Sequence, residues 1–481
     1  MISRRGLIVS SAATVVAGKL VSQLIAAEAP APAPVAPPPA GNGSYVPIET
    51  PNGSTLPWTM EDGFKTFRLI AEPVKREFSP GMIVNCWGYN GQSPGPTIEA
   101  VEGDKVRIYV TNRLPEPTTI HWHGIILPAG QDGVAGLTQP HINPGETFAY
   151  EFELKQHGTQ MYHPHGDEML QMAMGMQGFF IIHPKQPRSP ELKVDREFAI
   201  FLQEWFIPPG GATPNPMIMT DFNIFTFNSR VWPGTAPLVV RRGERVRIRL
   251  ANLSMDNHPI HFHGHVGYFT GTDGGPLQQS AWQPMVTIDV PPGSTRDLEF
   301  VADNPGDWPL HCHKNHHAMN AMSHEFPNMT GVNMKGVEEQ VNSLLPGYMH
   351  MGEKGMMDMA DMEMQLPPNT IPMMTGNGPF GPIGMGGMFT LIKVRDDITT
   401  YKDPGWYKHP EGSIVRKVSG PAAAVAPVAS APRPAHNPAT PATTAPATPG
   451  VVYVCPMHEK VTSTVAGSKC PICFMKLKPK K

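Results

Sequence analysis

Residues 100–112, AVEGDKVRIYVTN, return at 239–252 as VVRRGERVRIRLAN, with Gly103 answering Gly243 and Asn112 answering Asn252. NPGETFAYEF at 143–152 matches PPGSTRDLEF at 291–300, and HGTQMYHPH at 157–165 matches PGDWPLHCH at 305–313. The last two blocks share one offset of 148 residues, which a chance match of single motifs would not give, so two copies of one domain stand in tandem. Each copy alternates apolar and polar residues in Val/Ile-rich runs, KVRIYV and RVRIRL, broken by Pro-Gly, Asn-Gly and Gly-Asp turns. That is the pattern of half-buried antiparallel strands, and several at short spacing predict an all-β chain of β-sandwiches. GMQGFFIIHP at 175–184 closes the first copy, and GMGGMFTLIKV at 384–394 reads as the same strand displaced by an insertion over about 325–383. The expected domains are therefore 46–186 and 187–415.

The second copy ends its strand with His311-Cys312-His313, followed by His317 and Met322. Two imidazoles, one thiolate and a weak axial thioether form the ligand set of a blue-copper site. Successive side chains of an extended segment point to opposite faces. If Cys312 faces one metal, His311 and His313 point away from it and are available to a second centre.

Three more histidine motifs fall on the repeat: His121-Trp122-His123, His163-Pro164-His165 and His258-Pro259-Ile260-His261-Phe262-His263. A lone H-x-H is a weak signal. Four at equivalent positions of a repeat, one embedding a cysteine, are a strong one. In this order they resemble the ligand set of the multicopper oxidases, built from cupredoxin domains. With no room for a third domain between His123 and His258, the resemblance is to the two-domain, small-laccase-like branch, and it implies two tandem cupredoxin-like Greek-key sandwiches.

The resemblance further implies that His258, Cys312, His317 and axial Met322 bind a type 1 copper, and that His121 and His261 bind a type 2 copper. One type 3 copper would take His123, His163 and His313, and the other His165, His263 and His311, four coppers in all. The first copy has Pro164 where the second has Cys312, which argues against a copper nitrite reductase, whose type 1 cysteine lies in the first domain. Such two-domain enzymes share the cluster between neighbouring chains, so a homotrimer is expected. Asp132 matches the family's acidic residue near the type 2 copper and is the expected proton donor. Its alternative reading is a solvated turn residue before Gly133. Trp122 and Phe262 are expected only to pack, as is Cys86.

The rest of the chain surrounds this body with metal-binding and export signals. Ser3-Arg4-Arg5-Gly6-Leu7-Ile8, a weakly apolar stretch and the small residues from Ala26 to Ala29 resemble a twin-arginine signal over 1–29, implying a periplasmic protein. No apolar run is long enough for a lasting membrane span, and a net charge of -3 gives no support for nucleic-acid binding. Pro/Ala linkers are expected at 30–45 and 416–450. The insertion holds Met349, Met351, Met356, Met357, Met359, Met362 and Met364 among Gly, Asp and Glu, with almost no aliphatic residues to pack against. Thioethers in that setting suit a soft cation.

At 451–481, Cys455, His458, Cys470 and Cys473 supply four tetrahedral ligands, and the segment resembles a heavy-metal-binding domain. Zinc is the ordinary ion for that count, whereas Met457 and Met475 favour Cu(I). The expected function is oxidation of Cu(I), and of phenols, at the expense of dioxygen. A phenol-specific laccase and a copper-sequestering protein are the alternatives.

Overall fold

The computed structural model describes residues 45–186, 188–208, 210–320, 344, 368–371, 376–417, 452–455, 460–465, 468 and 476–480. Residues 1–29, expected to be a signal, the Met-rich stretch 349–364, Met322, His458, Cys470 and Cys473 lie outside the described residues. The chain divides into a unit over 1–408 and a second over 409–481.

The larger unit is nearly all-β, with a short helix at Glu168–Ala173, and holds two sandwiches with the same strand plan. In the first, Phe64–Ser79 runs parallel to Lys105–Asn112, which pairs antiparallel with Thr147–Glu153. The facing sheet orders Ile98–Val101, Gly178–His183, Gly158–His163 and His121–His123. In the second, Arg196–Trp205, Arg245–Asn252 and Ser294–Val301 repeat the first arrangement. Leu238–Arg241, Phe389–Arg395, Gly306–Cys312 and His258–Phe262 repeat the other. Both closing strands expected from the sequence are present, at Gly178–His183 and Phe389–Arg395.

Register is kept between the copies. Lys105 faces Glu153 and Arg245 faces Val301, offsets of 140 (245 less 105) and 148 (301 less 153). His121 faces His163 and His261 faces His311, at the same two offsets. The matched asparagines do the same work. Asn112 donates from Nδ2 to the carbonyls of Glu116 and Ile142 and accepts from the Leu114 N–H. Asn252 donates to Asp256 and Val290 and accepts from Ser254. Both are fully buried, so each replaces backbone bonds that the loop after its strand would otherwise lack.

The run Phe179-Phe180-Ile181-Ile182 is apolar without alternation because both of its faces are covered. Phe180 and Ile182 enter the first core. Phe179 and Ile181, with Met161, pack on Ala199, Phe201 and Ala251 of the second domain. Beside this seam Arg249, 2% exposed, bonds Thr159 Oγ1 of the first domain at 2.6 Å and Glu197 of its own at 2.8 Å. Thr159 in turn donates to Asp297 at 2.6 Å. A buried guanidinium shared this way fixes the two sandwiches against each other, since losing any partner strands a charge.

Tyr45, the last residue of the expected linker, stacks its ring on His183 at 3.8 Å. Cys86 packs in a core cluster with Val74, Phe78 and Trp205. The smaller unit has a three-stranded antiparallel sheet of Tyr453–Val454, Thr462–Ser463 and Lys478–Pro479. Cys455, just past its first strand, is buried in a cluster with Leu477.

Candidate metal centres

Alternation along Gly306–Cys312 decides the layout. Ile260 faces Cys312 across the sheet and His261 faces His311, so His258, two residues before Ile260, shares the face of Cys312. The 3-10 turn Asn315–Ala318 then brings His317 to the same point. The Nδ1 atoms of His258 and His317 are 3.0 Å apart, and Cys312 Sγ lies 3.9 and 3.6 Å from them. All three side chains are buried. Burial pushes His258 down to about 3 and His317 to about 2, so both rings are neutral at pH 7, and it pushes the Cys312 thiol up to about 12. Two neutral imidazole nitrogens and a thiol sulfur converging in a dry pocket fit a soft or borderline metal, whose binding displaces the thiol proton.

The tautomer of His258 follows from its neighbours. Asn252 Nδ2 is committed to two carbonyls, which leaves Oδ1 to accept the Ser254 hydroxyl at 2.6 Å. Ser254 Oγ has then spent its proton and accepts from His258 Nε2–H at 3.0 Å. The lone pair of His258 is thereby directed from Nδ1 at Cys312. His317 is oriented by stacking on Phe225 at 4.1 Å.

The other eight imidazoles form two equivalent quartets, and their ring contacts are all within a quartet. His121 has the rings of His123, His163 and His165 at 5.3 to 5.7 Å, and His163 has those of His123 and His165 at 5.4 and 6.3 Å. His261 has the rings of His263, His311 and His313 at 4.7 to 5.5 Å, and His311 has those of His263 and His313 at 5.5 and 5.6 Å. The tethers match too. His121 Nδ1–H donates to the Asp132 carbonyl at 2.8 Å and His261 Nδ1–H to that of Val286 at 2.7 Å. His163 and His311 each donate from Nδ1 to the carbonyl of the next residue, Pro164 or Cys312, at 2.9 Å. Each of these four rings presents an unprotonated Nε2, the arrangement of a metal-ligating histidine held by a backbone carbonyl. Burial lowers His163 to about 3 and His311 to about 4, which keeps both neutral. In each quartet three ligand atoms lie within 4.8 Å of one another.

A glycine ends each H-x-H-G turn. Gly124 and Gly264 sit at φ 81° and 77°, and a Cβ on Gly264 would lie 2.4 Å from the Trp308 ring. The left-handed conformation is therefore needed to release the second histidine of each pair from the strand.

The pairings implied by the resemblance all draw on both quartets: His121 with His261, His123 and His163 with His313, and His165 with His263 and His311. Among the described residues the structure does not bring these partners together within one chain. Asp132 does reach His121, with its Oδ1 3.4 Å from Nδ1 as well as its carbonyl. Trp122 and Phe262 are buried in the two cores.

Sequence reasoning missed Ser254, Glu204 and Glu168. Ser254 stands at the position of Leu114 in the first copy, and that polar replacement beside the cysteine-bearing site was a readable signal. Glu204 has a fully buried side chain, lies 3.8 Å from His258 Nε2 and is pushed up to about 7 by burial. No motif marks it. Glu168 Oε1 lies 3.0 Å from His165 Nε2.

Multicopper oxidase domain profiles match residues 71–187 and 207–332, which together cover 243 of 481 residues, and a heavy metal binding domain profile matches 452–480. Copper resistance protein A of Escherichia coli is 46% identical over 116 residues, 24% of this chain and 18% of that protein. A probable nitrite reductase-hydroxylamine oxidoreductase fusion protein of Kuenenia stuttgartiensis is 29% identical over 282 residues, 55% of this chain and 31% of that one. The chain thus spans under a third of the length of either relative. The crystal structure of a blue copper oxidase from Nitrosomonas europaea superposes with a TM-score of 0.52 at 28% identity, covering 71% of this chain and 91% of that one.

Proposed function

This chain belongs to the multicopper oxidase family, and from that premise we propose that it is an exported, periplasmic oxidase. It couples one-electron oxidation of Cu(I), and of phenols as secondary donors, to the four-electron reduction of dioxygen to water, in the service of copper tolerance. The observation that carries this reading is the position of Cys312. Its thiol completes the His258–His317 triad, while its carbonyl accepts the His311 Nδ1–H of a quartet. One residue therefore belongs to both centres.

His258, Cys312 and His317, with Met322 from the sequence, would hold a type 1 copper, and the eight quartet imidazoles would hold a type 2 copper and a type 3 pair. Copper so held supplies single-electron uptake at the triad and delivery of four electrons to dioxygen at the cluster. Cys312 and His311 give the electron a covalent and a hydrogen-bonded route between the two. Asp132, one-third exposed and in contact with His121, would pass protons inward from solvent. Because every pairing crosses from one quartet to the other, the cluster needs the first domain of one chain and the second domain of its neighbour. A closed cyclic trimer satisfies all such pairings at once.

The choice of Cu(I) as donor is supported by the Met-rich stretch 349–364 and by the relative named for copper resistance. The C-terminal module would hold a further soft ion, Cu(I) or Zn, on Cys455, His458, Cys470 and Cys473. No described helix is long and apolar enough to cross a membrane, and the twin-arginine start supports export. The test is oxygen uptake by the copper-loaded full chain on addition of Cu(I), alongside its visible spectrum. An intense thiolate–copper band and Cu(I)-driven uptake, both lost in Cys312→Ser, are expected. Uptake with phenols alone would refute the donor, and uptake with neither would refute the oxidase.

A further inference from the structure

The seam between the two sandwiches encloses a cavity of about 420 Å3 whose lining includes none of the histidines of the triad or the quartets. The first domain contributes His157 and Ile182, the second Leu277 and Trp282, and the segment joining them Arg188 and Leu192. Apolar walls with a few converging polar groups, at a domain boundary and of this size, are the marks of a small-molecule site. Its floor is the outer face of the second domain's sheet, where Arg247 stands opposite Glu299 and Arg249 opposite Asp297. Arg188 and Glu102, a quarter and a third exposed, complete three guanidiniums and three carboxylates at the rim. With His157 counted neutral the lining has no net formal charge. Bringing a lone charge into a balanced, desolvated site costs free energy that a neutral or dipolar molecule does not incur.

Glu299 supplies a second, independent sign. It is 1% exposed, and its Oε1 accepts from Arg188 Nη1 at 2.7 Å, from Arg247 Nε at 2.9 Å and from the Thr270 hydroxyl at 3.2 Å. Oε2 accepts no hydrogen bond, and Arg245 Nη1 stops 3.8 Å from it. A buried carboxylate oxygen left in that state costs stability unless a donor meets it. Beside it, the Arg188 guanidinium lies over the Trp282 ring at 5.3 Å and is the part of the network that reaches solvent. An acceptor without a donor and a part-exposed donor are therefore adjacent, as are the two charged groups of an α-amino acid.

We propose that this cavity binds a zwitterionic α-amino acid with an apolar side chain, its carboxylate on Arg188, its ammonium on Glu299 Oε2 and its side chain against Leu192, Leu277 and Trp282. Entry turns the Arg188 guanidinium from Glu299 towards the incoming carboxylate. A zwitterion inserts into that ion pair without changing the charge of the site, and Arg247 keeps its own bond to Glu299. An organic anion would satisfy Arg188 and leave Oε2 unpaired. An organic cation would do the reverse and add a charge beside Arg245 and Arg247. Because the walls come from both domains, the bound molecule ties the two sandwiches together and stabilises the folded chain.

The experiment uses the copper-loaded full chain, kept anaerobic and reduced so that no Cu(II) is present to chelate the probe, with tryptophan indoles isotopically labelled for NMR. L-phenylalanine is the probe. Hydrocinnamate lacks its ammonium and phenethylamine lacks its carboxylate. L-phenylalanine is expected to shift the Trp282 indole saturably and to leave that of Trp122, buried in the first core, in place. Each comparator should bind at least about 10-fold more weakly, the loss that goes with one charge-assisted hydrogen bond. Arg188→Ala should weaken L-phenylalanine by a like factor and leave phenethylamine unchanged, with the thiolate–copper band of the reoxidised protein intact. Absence of a saturable Trp282 shift would overturn the proposal. Hydrocinnamate binding as tightly as L-phenylalanine would make this an anion site, and phenethylamine doing so a cation site, and either result overturns it. So does an Arg188→Ala variant that binds L-phenylalanine as the wild type does, since binding would not then run through the Arg188–Glu299 pair.

Discussion

Replacing Ser254 by Ala tests the argument for how the triad is aimed. In the folded chain the hydroxyl donates to Asn252 Oδ1 at 2.6 Å and accepts from His258 Nε2–H at 3.0 Å. Alanine removes both bonds but leaves Asn252 its other three, two from Nδ2 and one from the Ser254 backbone N–H. The damage therefore falls on His258. Its ring is buried, and the next acceptor, Glu204 Oε1, is 3.8 Å away, beyond hydrogen-bond reach. An unmade bond at a buried donor costs about 1–3 kcal/mol, or roughly 5- to 150-fold in an equilibrium constant. Loss of the carbonyl, carboxylate or hydroxyl behind a metal-bound histidine typically weakens metal affinity about 10- to 100-fold. The two estimates agree, so Ser254→Ala should release its type 1 copper to a chelator at about 10- to 100-fold lower chelator concentration. Loss of the blue absorbance reports it. Ser254→Thr, which keeps the hydroxyl, should behave as the wild type. The reasoning is refuted if Ser254→Ala holds copper as tightly as wild type, or if Ser254→Thr is equally impaired, since packing and not the hydroxyl would then matter.

Two further outcomes follow from burial and backbone geometry. His163, His258, His311 and His317 are depressed to about 3, 3, 4 and 2 from an ordinary 6.5, so below pH 6.5 the unfolded chain takes up protons that the folded chain refuses. Each adds up to about 1.4 kcal/mol of destabilisation per pH unit down to its folded pKa. The metal-free chain should therefore lose Tm steeply between pH 6.5 and 4.5, and a flat profile there would contradict the burial of these rings. Gly133→Ala should destabilise far more than Gly243→Ala by thermal unfolding. Both residues have φ near 90°, which costs alanine about 1–2 kcal/mol. Only Gly133 would also set its Cβ 1.6 Å from a backbone oxygen, that of Ile120, and the turn it disturbs holds His121 through Asp132. Copper content of Gly133→Ala should fall with it, and equal stability of the two variants would contradict this account.

Much of the site is legible in the sequence because strand periodicity is simple. With the two copies aligned at offsets of 140 and 148, His261 must answer His121 and His311 must answer His163, so whatever pairing one copy makes the other repeats. Alternation around Cys312 likewise separates the triad from the quartet without any coordinates. What stayed hidden is contributed by residues far apart in the chain and carrying no pattern of their own. Glu204 reaches His258 from the end of another strand, and the cavity beside Arg188 is assembled from both domains and the segment that joins them. The hydrogen-bond direction through Ser254 needs both Asn252 donors to be located first. The docking of Tyr45 was illegible for the reverse reason: a Pro/Ala-rich context marks a linker, and a single aromatic ring at its end carries no sign that it stacks on His183.

The central claim is that one chain carries two halves of a cluster that only neighbouring chains complete. His163→Ala disables the first quartet and His311→Ala the second, and each variant alone should take up no oxygen. Co-expressed in equal amounts in one closed ring, an intact cluster needs an intact first quartet on one chain and an intact second on its neighbour, each present half the time. Oxygen uptake should then return to about a quarter of the wild-type rate per chain. If the mixed assemblies form and remain as inactive as either variant alone, the cluster is completed within a single chain and the account is wrong.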